Sequence, residues 1–276
     1  IMERNLEDIL FYKDDKTGGL LLREPEKRFA THCNDCGTDK ASKHSYEYIY
    51  GNLFESIRLK NMNILEVGIE SGASARMWKN YFSNSEIYAI DIDRYYHVAQ
   101  NDLPASMRWV SCDLVTNGQG ELFPVKDDLG NRVKAFDIMS LVELGVHVSL
   151  GDSTDQSFCS KYEDGFFDII IDDGSHKIND QINTLVNFYP KLKTNGLYII
   201  EDLESKGYLK YFDSLAEHMC VDLREIKNRW DDMCIVIRKN DSDDPNLIVN
   251  SFVESGAVVE SSNVLASRWY TWPGDR

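Results

Sequence analysis

The chain has 276 residues, 42% of them hydrophobic, enough for one large α/β domain with appendages. No stretch approaches about 18 uninterrupted apolar residues, so no membrane span is expected, and the charged opening IMERNLEDILFYKDDK reads as a cytoplasmic protein rather than a secretory signal. A formal net charge of −16 argues against a nucleic-acid partner, which calls for a basic surface, and six cysteines are too sparse for a disulfide scaffold.

Residues 1–30 are mixed and charged, with a turn at Gly18-Gly19, and read as an irregular arm or a short helix. Cys33 and Cys36 make one CxxC, half of a zinc site. No second CxxC or HxxxH follows and His32 is badly spaced, so two reduced thiols before a turn are expected. Residues 44–60 predict a helix, because Tyr46, Ile49, Tyr50, Phe54 and Ile57 recur at three- and four-residue steps. Ile64 to Val67 is a short strand, followed by the glycines of LEVGIESGAS and a helix over SARMWKNYF. EIYAIDID, 86–93, is a second strand. Residues 106–145 fit less well and read as an insertion with a helix from about Phe136, although MRWVSCD could instead be the third strand. VHVSLGD, 146–152, is otherwise the third, FFDIIIDDGSH, 166–176, the fourth, and GLYIIEDL, 196–203, the fifth. Ile178, Ile182, Leu185, Tyr189 and Leu192 share one helix face, with Asn195-Gly196 as a C-cap signal. DMCIVIRK, 232–239, is a late strand, and 241–276 is an arm ending in SRWYTWPGDR. Strands alternating with helices predict an α/β fold with a doubly wound, mostly parallel sheet.

In such sheets ligands bind at the carboxyl ends of the strands. Here those ends are Glu66, Asp91, Asp152, Asp172 and Glu201. Gly68 and Gly72 form a GxxxG turn, not the GxGxxG of dinucleotide binders. The glycines allow close backbone approach, and equally suit tight strand–helix packing. Asp91 is placed to accept from a ribose diol, and Asp152 could reach an adenine edge or a second hydroxyl. With no phosphate-cradling loop, the expected ligand is a nucleoside without a pyrophosphate, a description S-adenosylmethionine fits.

Asp172-Asp173 and Glu201-Asp202 end two successive strands. If those strands are neighbours, four carboxylates crowd one spot, their pKa values rise, and a divalent cation removes the conflict. Oxygen ligands favour Mg²⁺, Mn²⁺ or Ca²⁺ over zinc. His176 follows across a Gly-Ser turn, where it suits a general base near neutrality. The bland alternative is a helix start with Asp173 or Ser175 as N-cap and His176 in the first turn.

IIIDDGSH followed by GLYIIEDL, with Glu201 25 residues after His176, resembles the metal-dependent sugar O-methyltransferases of macrolide biosynthesis, the mycinamicin and macrocin type. CGTDKASKHSYEYIY, LEVGIESGASARMWKNYF, IYAIDID, GDSTDQSF and DDMCIVIRK look like their counterparts, over roughly 36–100 and 146–240. The resemblance implies a Rossmann-like class I methyltransferase with a seven-stranded sheet and a late antiparallel strand. It implies residues 1–60 closing over the cofactor, a catalytic domain over 61–240 with the 106–145 insertion, and a C-terminal arm over 241–276. It implies Asp173, Glu201 and Asp202 as ligands of Mg²⁺ (or Mn²⁺), and His176 as base. Glu66, Gly68, Asp91, Asp152 and Asp172 would hold S-adenosylmethionine, with Thr38 and Tyr50 closing over it. The acceptor would be a sugar or glycan with vicinal hydroxyls. A catechol-like diol, or chemistry like that of the related cephalosporin hydroxylases, is the alternative. The insertion and the tail depart from the pattern, so the macrolide itself is not carried over. The aromatic arms are compatible with a homo-oligomer.

Overall fold

Short apolar runs bounded by polar turns alternate with amphipathic segments along this chain, and in the computed structural model they become strands and helices in that order. The structure describes residues 4–70, 72–92 and 138–254. A short helix α1 (Leu6–Leu10) leads into a hairpin of β1 (Phe11–Lys13) and β2 (Leu20–Leu22), then α2 (Lys27–Cys36) and α3 (Glu47–Phe54). The main domain runs β3 (Asn63–Val67), α4 (Ala73–Tyr81), β4 (Glu86–Asp91), α5 (Ile138–Glu143), β5 (Val146–Leu150), α6 (Gln156–Cys159), β6 (Phe167–Asp172), α7 (Ile178–Phe188) and β7 (Leu192–Ile200). It closes with β8 (Glu217–Asp222), α8 (Arg224–Lys227), β9 (Met233–Arg238) and α9 (Asn246–Glu254).

Seven of these strands form one sheet in the order β5-β4-β3-β6-β7-β9-β8. All pair in parallel except β9, which runs antiparallel to both neighbours. The expected doubly wound sheet with a late antiparallel strand is therefore present. The chain reverses its winding between β3 and β6, which opens the crevice of such folds above those two strand ends. β6 is buried at every position, which accounts for its unbroken apolar run. Alternate side chains serve opposite faces: Ile169 and Ile171 pack with Phe29, Tyr50, Phe54 and Trp78, while Ile170 packs with Ile182, Leu185 and Phe188.

Several expectations need correction. Asn195-Gly196 does not cap α7. It lies inside β7, where Asn195 adopts φ 61° and the pairing with β6 slips between Phe167 and Ile169. The Asn195 N–H goes to Lys239 O at 2.9 Å, and Gly196 O accepts from Lys239 N at 3.0 Å, so the pair serves the sheet edge. The helix instead runs into a 3-10 turn at Tyr189–Lys191, capped by the Leu192 N–H on Tyr189 O, and the Lys239 ammonium donates to the carbonyls of Tyr189 and Leu192 at 2.9 and 2.7 Å. Neither Asp173 nor Ser175 is the N-cap of α7; Lys177 occupies that position, and Ser175 donates to Asp180 at 2.6 Å. β8 is half-exposed, with weak alternation, and nothing in its sequence marked it.

Other expectations stand. The helix expected from about Phe136 is α5, and 146–152 supplies β5 at the sheet edge. Cys33 and Cys36 lie on the last turn of α2, ahead of the left-handed Gly37, and Cys36 Sγ accepts from Asn80 Nδ2 at 3.4 Å. Most of the 106–145 insertion, including MRWVSCD, and the end of the C-terminal arm lie outside the described residues. No described helix is long and apolar enough to cross a membrane.

Candidate active site

Two groups of acids occupy the carboxyl ends of the strands. The first belongs to β3, β4 and the turn after β5, and each acid there is engaged by nearby N–H or hydroxyl groups. Glu66 is fully buried at the end of β3 and accepts from Trp78 Nε1 and Ser74 Oγ, both at 2.8 Å, which ties the strand to α4. Burial pushes its pKa up to about 7 against the pull of Lys40. Gly68 follows at φ 94°, and a Cβ there would run into the Asp173 carbonyl. Only glycine fits that combination of left-handed backbone and close approach. Asp91 Oδ2 accepts from the Ile69 and Glu70 N–H groups at 2.9 and 3.2 Å, so the acid ending β4 shapes the turn after Gly68. Asp152 Oδ1 accepts from the N–H and the hydroxyl of Thr154 at 2.9 and 2.7 Å, forming a tight turn. Thr38 is buried at the end of α2, its N–H on Cys33 O at 3.2 Å.

Asp172 stands between the two groups, at the β3–β6 junction. Its Oδ1 accepts from Gly174 N at 3.3 Å, while Oδ2 is buried with no hydrogen-bond partner among the described residues. Burial pushes this carboxyl up to about 8, with the Asp173 and Asp180 charges adding to the rise.

The second group belongs to β6 and β7, which are adjacent, with Asp172 in register with Ile200. Three of the four expected acids therefore meet: Asp173 and Glu201 share Lys40, and Asp173 and Asp202 share one cluster, while Asp172 stands apart from them. Glu201 is fully buried; burial and the Asp173 charge push its pKa up, against Lys40. Asp202, at φ 55°, is raised by burial, opposed by His176 and His44. His176 also has a left-handed backbone, φ 58°, which aims its ring back over the strand ends. Its Nδ1 faces Asp202 Oδ2 at 3.7 Å and is buried without a hydrogen bond among the described residues, while the ring as a whole stays partly exposed. One ligand atom each from Asp173, His176 and Asp202 lie within 4.8 Å of one another. His44, Asp202 and Asp231 meet the same criterion, but Asp231 is paired to Arg229 at 3.0 and 2.6 Å and His44 to Asp232 at 2.8 Å.

The segment after α2 supplies partners that the linear pattern did not single out. Lys40 Nζ donates to Asp173 Oδ2 at 2.6 Å and to both oxygens of Glu201 at 2.7 and 2.8 Å. The Tyr46 hydroxyl donates to Asp202 Oδ1 and accepts from the Asp202 N–H at 3.1 Å. His44 stacks on Tyr46 with ring centroids 4.9 Å apart. Tyr50, expected over the methyl donor, is instead fully buried among Phe29, Phe54 and Trp78, and its hydroxyl donates to Glu201. These residues all lie in GTDKASKHSYEYIY. That stretch was the available signal, but a lysine among polar residues reads as surface unless its partners are known.

No family model matches the chain. A tetracenomycin-C rhamnosyl 2'-O-methyltransferase of Streptomyces olivaceus is 26% identical over 178 residues, covering 61% of this chain and 36% of its own. The chain is similar in sequence to sugar O-methyltransferases. Demethylmacrocin O-methyltransferase of Streptomyces fradiae is 29% identical over 170 residues, 59% of this chain and 32% of its own. Mycinamicin VI 2''-O-methyltransferase of Micromonospora griseorubida is 27% identical over 170 residues, 58% and 32%. The matches thus span about a third of the length of these relatives. Among solved structures, the MycE methyltransferase in complex with Mg, SAH and mycinamycin VI superposes with a TM-score of 0.47 at 20% identity, covering 80% of this chain and 56% of that one.

Proposed function

We propose that this chain is an S-adenosylmethionine-dependent O-methyltransferase that acts, with a divalent cation, on a sugar hydroxyl flanked by a second oxygen. The observation that carries this is the convergence of Asp173, His176 and Asp202 at the ends of two adjacent strands, beside the glycine turn after β3. The sequence similarity to sugar O-methyltransferases supports it.

The donor set fits both groups. The Gly68 turn, the orphaned Asp172 Oδ2 and the strand-end acids Glu66, Asp91 and Asp152 fit a nucleoside with donor groups of its own. Asp173 and Asp202, with Glu201 behind Lys40, would hold Mg²⁺ or Mn²⁺, the oxygen-rich choice. A cation bound there lowers the pKa of the acceptor hydroxyl and orients its neighbouring oxygen. The chain's own residues then do the following. Asp202 faces Nδ1 of His176 and stabilises the imidazolium, which leaves Nε2 to take the hydroxyl proton. Tyr46 fixes the Asp202 carboxylate through two bonds to one residue. Gly68 brings the β3 turn against the Asp173 backbone, so the methyl-donor side and the base side share a wall. Alignment of the reacting oxygen and the methyl carbon supplies much of the acceleration.

The test is a methyl-transfer screen with S-adenosylmethionine against free, nucleotide-linked and lipid-linked sugars, read by a mass shift, with and without EDTA. A methylated sugar formed only when Mg²⁺ or Mn²⁺ is present is the expected result. Turnover of catechols but not sugars would change the acceptor class, and chelator-insensitive turnover would remove the cation from the reaction.

A further inference from the structure

One cation is already built into the acidic end of the sheet. Lys40 is only 1% exposed. A lysine ammonium is strongly hydrated, and full burial is tolerated where charged partners replace its water. Here the partners come from three strand ends: Asp173 at 2.6 Å, both oxygens of Glu201 at 2.7 and 2.8 Å, and Glu66 at 3.7 Å. Burial works against the charge of Lys40, and these carboxylates outweigh it. Both Glu201 oxygens face the ammonium, and Glu201 is not in the metal-competent group of Asp173, His176 and Asp202. Asp173 belongs to both sets. A lysine and a divalent ion that draw on the same carboxylate oxygens cannot both hold them at full strength.

We propose that Lys40 is a stand-in cation: it holds Asp173 and Glu201 together while the divalent ion is away, and it yields their oxygens as the ion enters. This rests on the divalent site proposed above. Without the ammonium, the ends of β6 and β7 would present facing carboxylates with nothing between them, an arrangement that repels. The native chain would then keep its site without metal, whereas a chain lacking the ammonium would depend on metal to hold it. Removing a positive charge a few ångströms from the ion also strengthens the ion's attraction to the site.

The experiment compares the full chain with Lys40→Met. Thermal melting is measured in EDTA and in saturating Mg²⁺, and Mn²⁺ binding is measured by loss of the free-ion spin-resonance signal. The variant is expected to melt lower in EDTA, to gain at least about twice as much from Mg²⁺ as the native chain, and to bind Mn²⁺ about tenfold more tightly. Where Lys40→Met does not fold in EDTA, the double variant Lys40→Met/Glu201→Gln is expected to recover chelator-resistant melting. A double variant as metal-dependent as the single one overturns the proposal. Equal Mn²⁺ affinity and equal metal-dependent gain in the native chain and Lys40→Met overturn the stand-in role alone. Failure of the native chain and the variant alike to take up Mn²⁺ overturns the divalent site as well.

Discussion

The acids on β3, β4 and the turn after β5 differ in kind from those on β6 and β7. Asp91 and Asp152 accept only from backbone N–H and hydroxyl groups in the hydrogen bonds described, and Glu66 accepts from the Trp78 indole and the Ser74 hydroxyl, with Lys40 farther off at 3.7 Å. They organise loops. Asp173, Glu201 and Asp202 face one another and are held by Lys40, Tyr46 and Tyr50, from a segment more than 130 residues away. They concentrate charge. A strand-end carboxylate already engaged by neutral donors can add a hydrogen bond to a neutral ligand, whereas a cluster of facing carboxylates calls for positive charge. On the proposed function, the carboxyl end of one sheet would thereby serve two different ligands.

The sharpest break in that comparison is expected from His176→Ala. On the charge-concentrating side the loss of the base should cut turnover by about a thousandfold, while S-adenosylmethionine binding by calorimetry stays within about threefold. Near-native turnover would remove His176 from the chemistry. Gly68→Ala strikes the wall common to both sides. Its left-handed backbone and the Asp173 carbonyl in its path should lower unfolding stability by about 2–4 kcal/mol in urea denaturation. A variant of native stability would mean that the two strand ends sit farther apart than described here.

Glu66 tests the loop-organising side through pH. Its carboxyl is raised from an ordinary 4.5 to about 7 by burial, so the folded state holds this proton more tightly than the unfolded chain. That contribution is fully present below about 4.5 and is lost as pH rises through about 7. Glu66→Gln should therefore remove about 1–3 kcal/mol of the decline in stability between those pH values, seen as a flatter melting-temperature profile. An unchanged profile would locate the pH dependence elsewhere. The smallest effect is expected from Asp91→Asn, which weakens the hold on the Ile69 and Glu70 N–H groups. S-adenosylmethionine affinity should fall about tenfold while Mn²⁺ affinity is unaltered. Equal losses in both would show that the two sides do not act separately.

Much of this was legible in the sequence because it is periodic or local. The buried run of β6, the apolar face of α7 and the acid at each strand end follow from one-dimensional pattern and from the rule that parallel sheets bind at their carboxyl ends. The meeting of Asp173 with Glu201 and Asp202 followed from strand adjacency, although Asp172 of the same pair does not join them. What escaped was tertiary. Asn-Gly after a helix reads as a cap, but the turn ends on Leu192 N–H and the Lys239 ammonium, and Asn195-Gly196 pairs with Lys239 in the sheet. Tyr50 fits the period of its helix, yet nothing along the chain told that its hydroxyl meets Glu201. Lys40 was least legible, since its burial depends on three acids brought in from strand ends far apart in the chain.

The turn between β8 and β9 has a bearing on how the molecule matures. Lys227 Nζ donates to Ala41 O, His44 O and Glu47 Oε1 at 2.8, 2.5 and 2.9 Å, and Asp232 accepts from His44 Nδ1 and Ser45 N at 2.8 and 3.0 Å. The stretch that carries Lys40 and Tyr46 is thus pinned by residues translated some 185 positions later. A nascent chain that has emerged only as far as β7 possesses every strand-end acid and the histidine, yet lacks the fastener for the loop that restrains them. Such long-range closure is slow to form and comes after local structure. A partly synthesised chain that ends before Lys227 and Asp232 therefore holds these strand-end acids without the contacts that pin the Lys40 and Tyr46 segment over them.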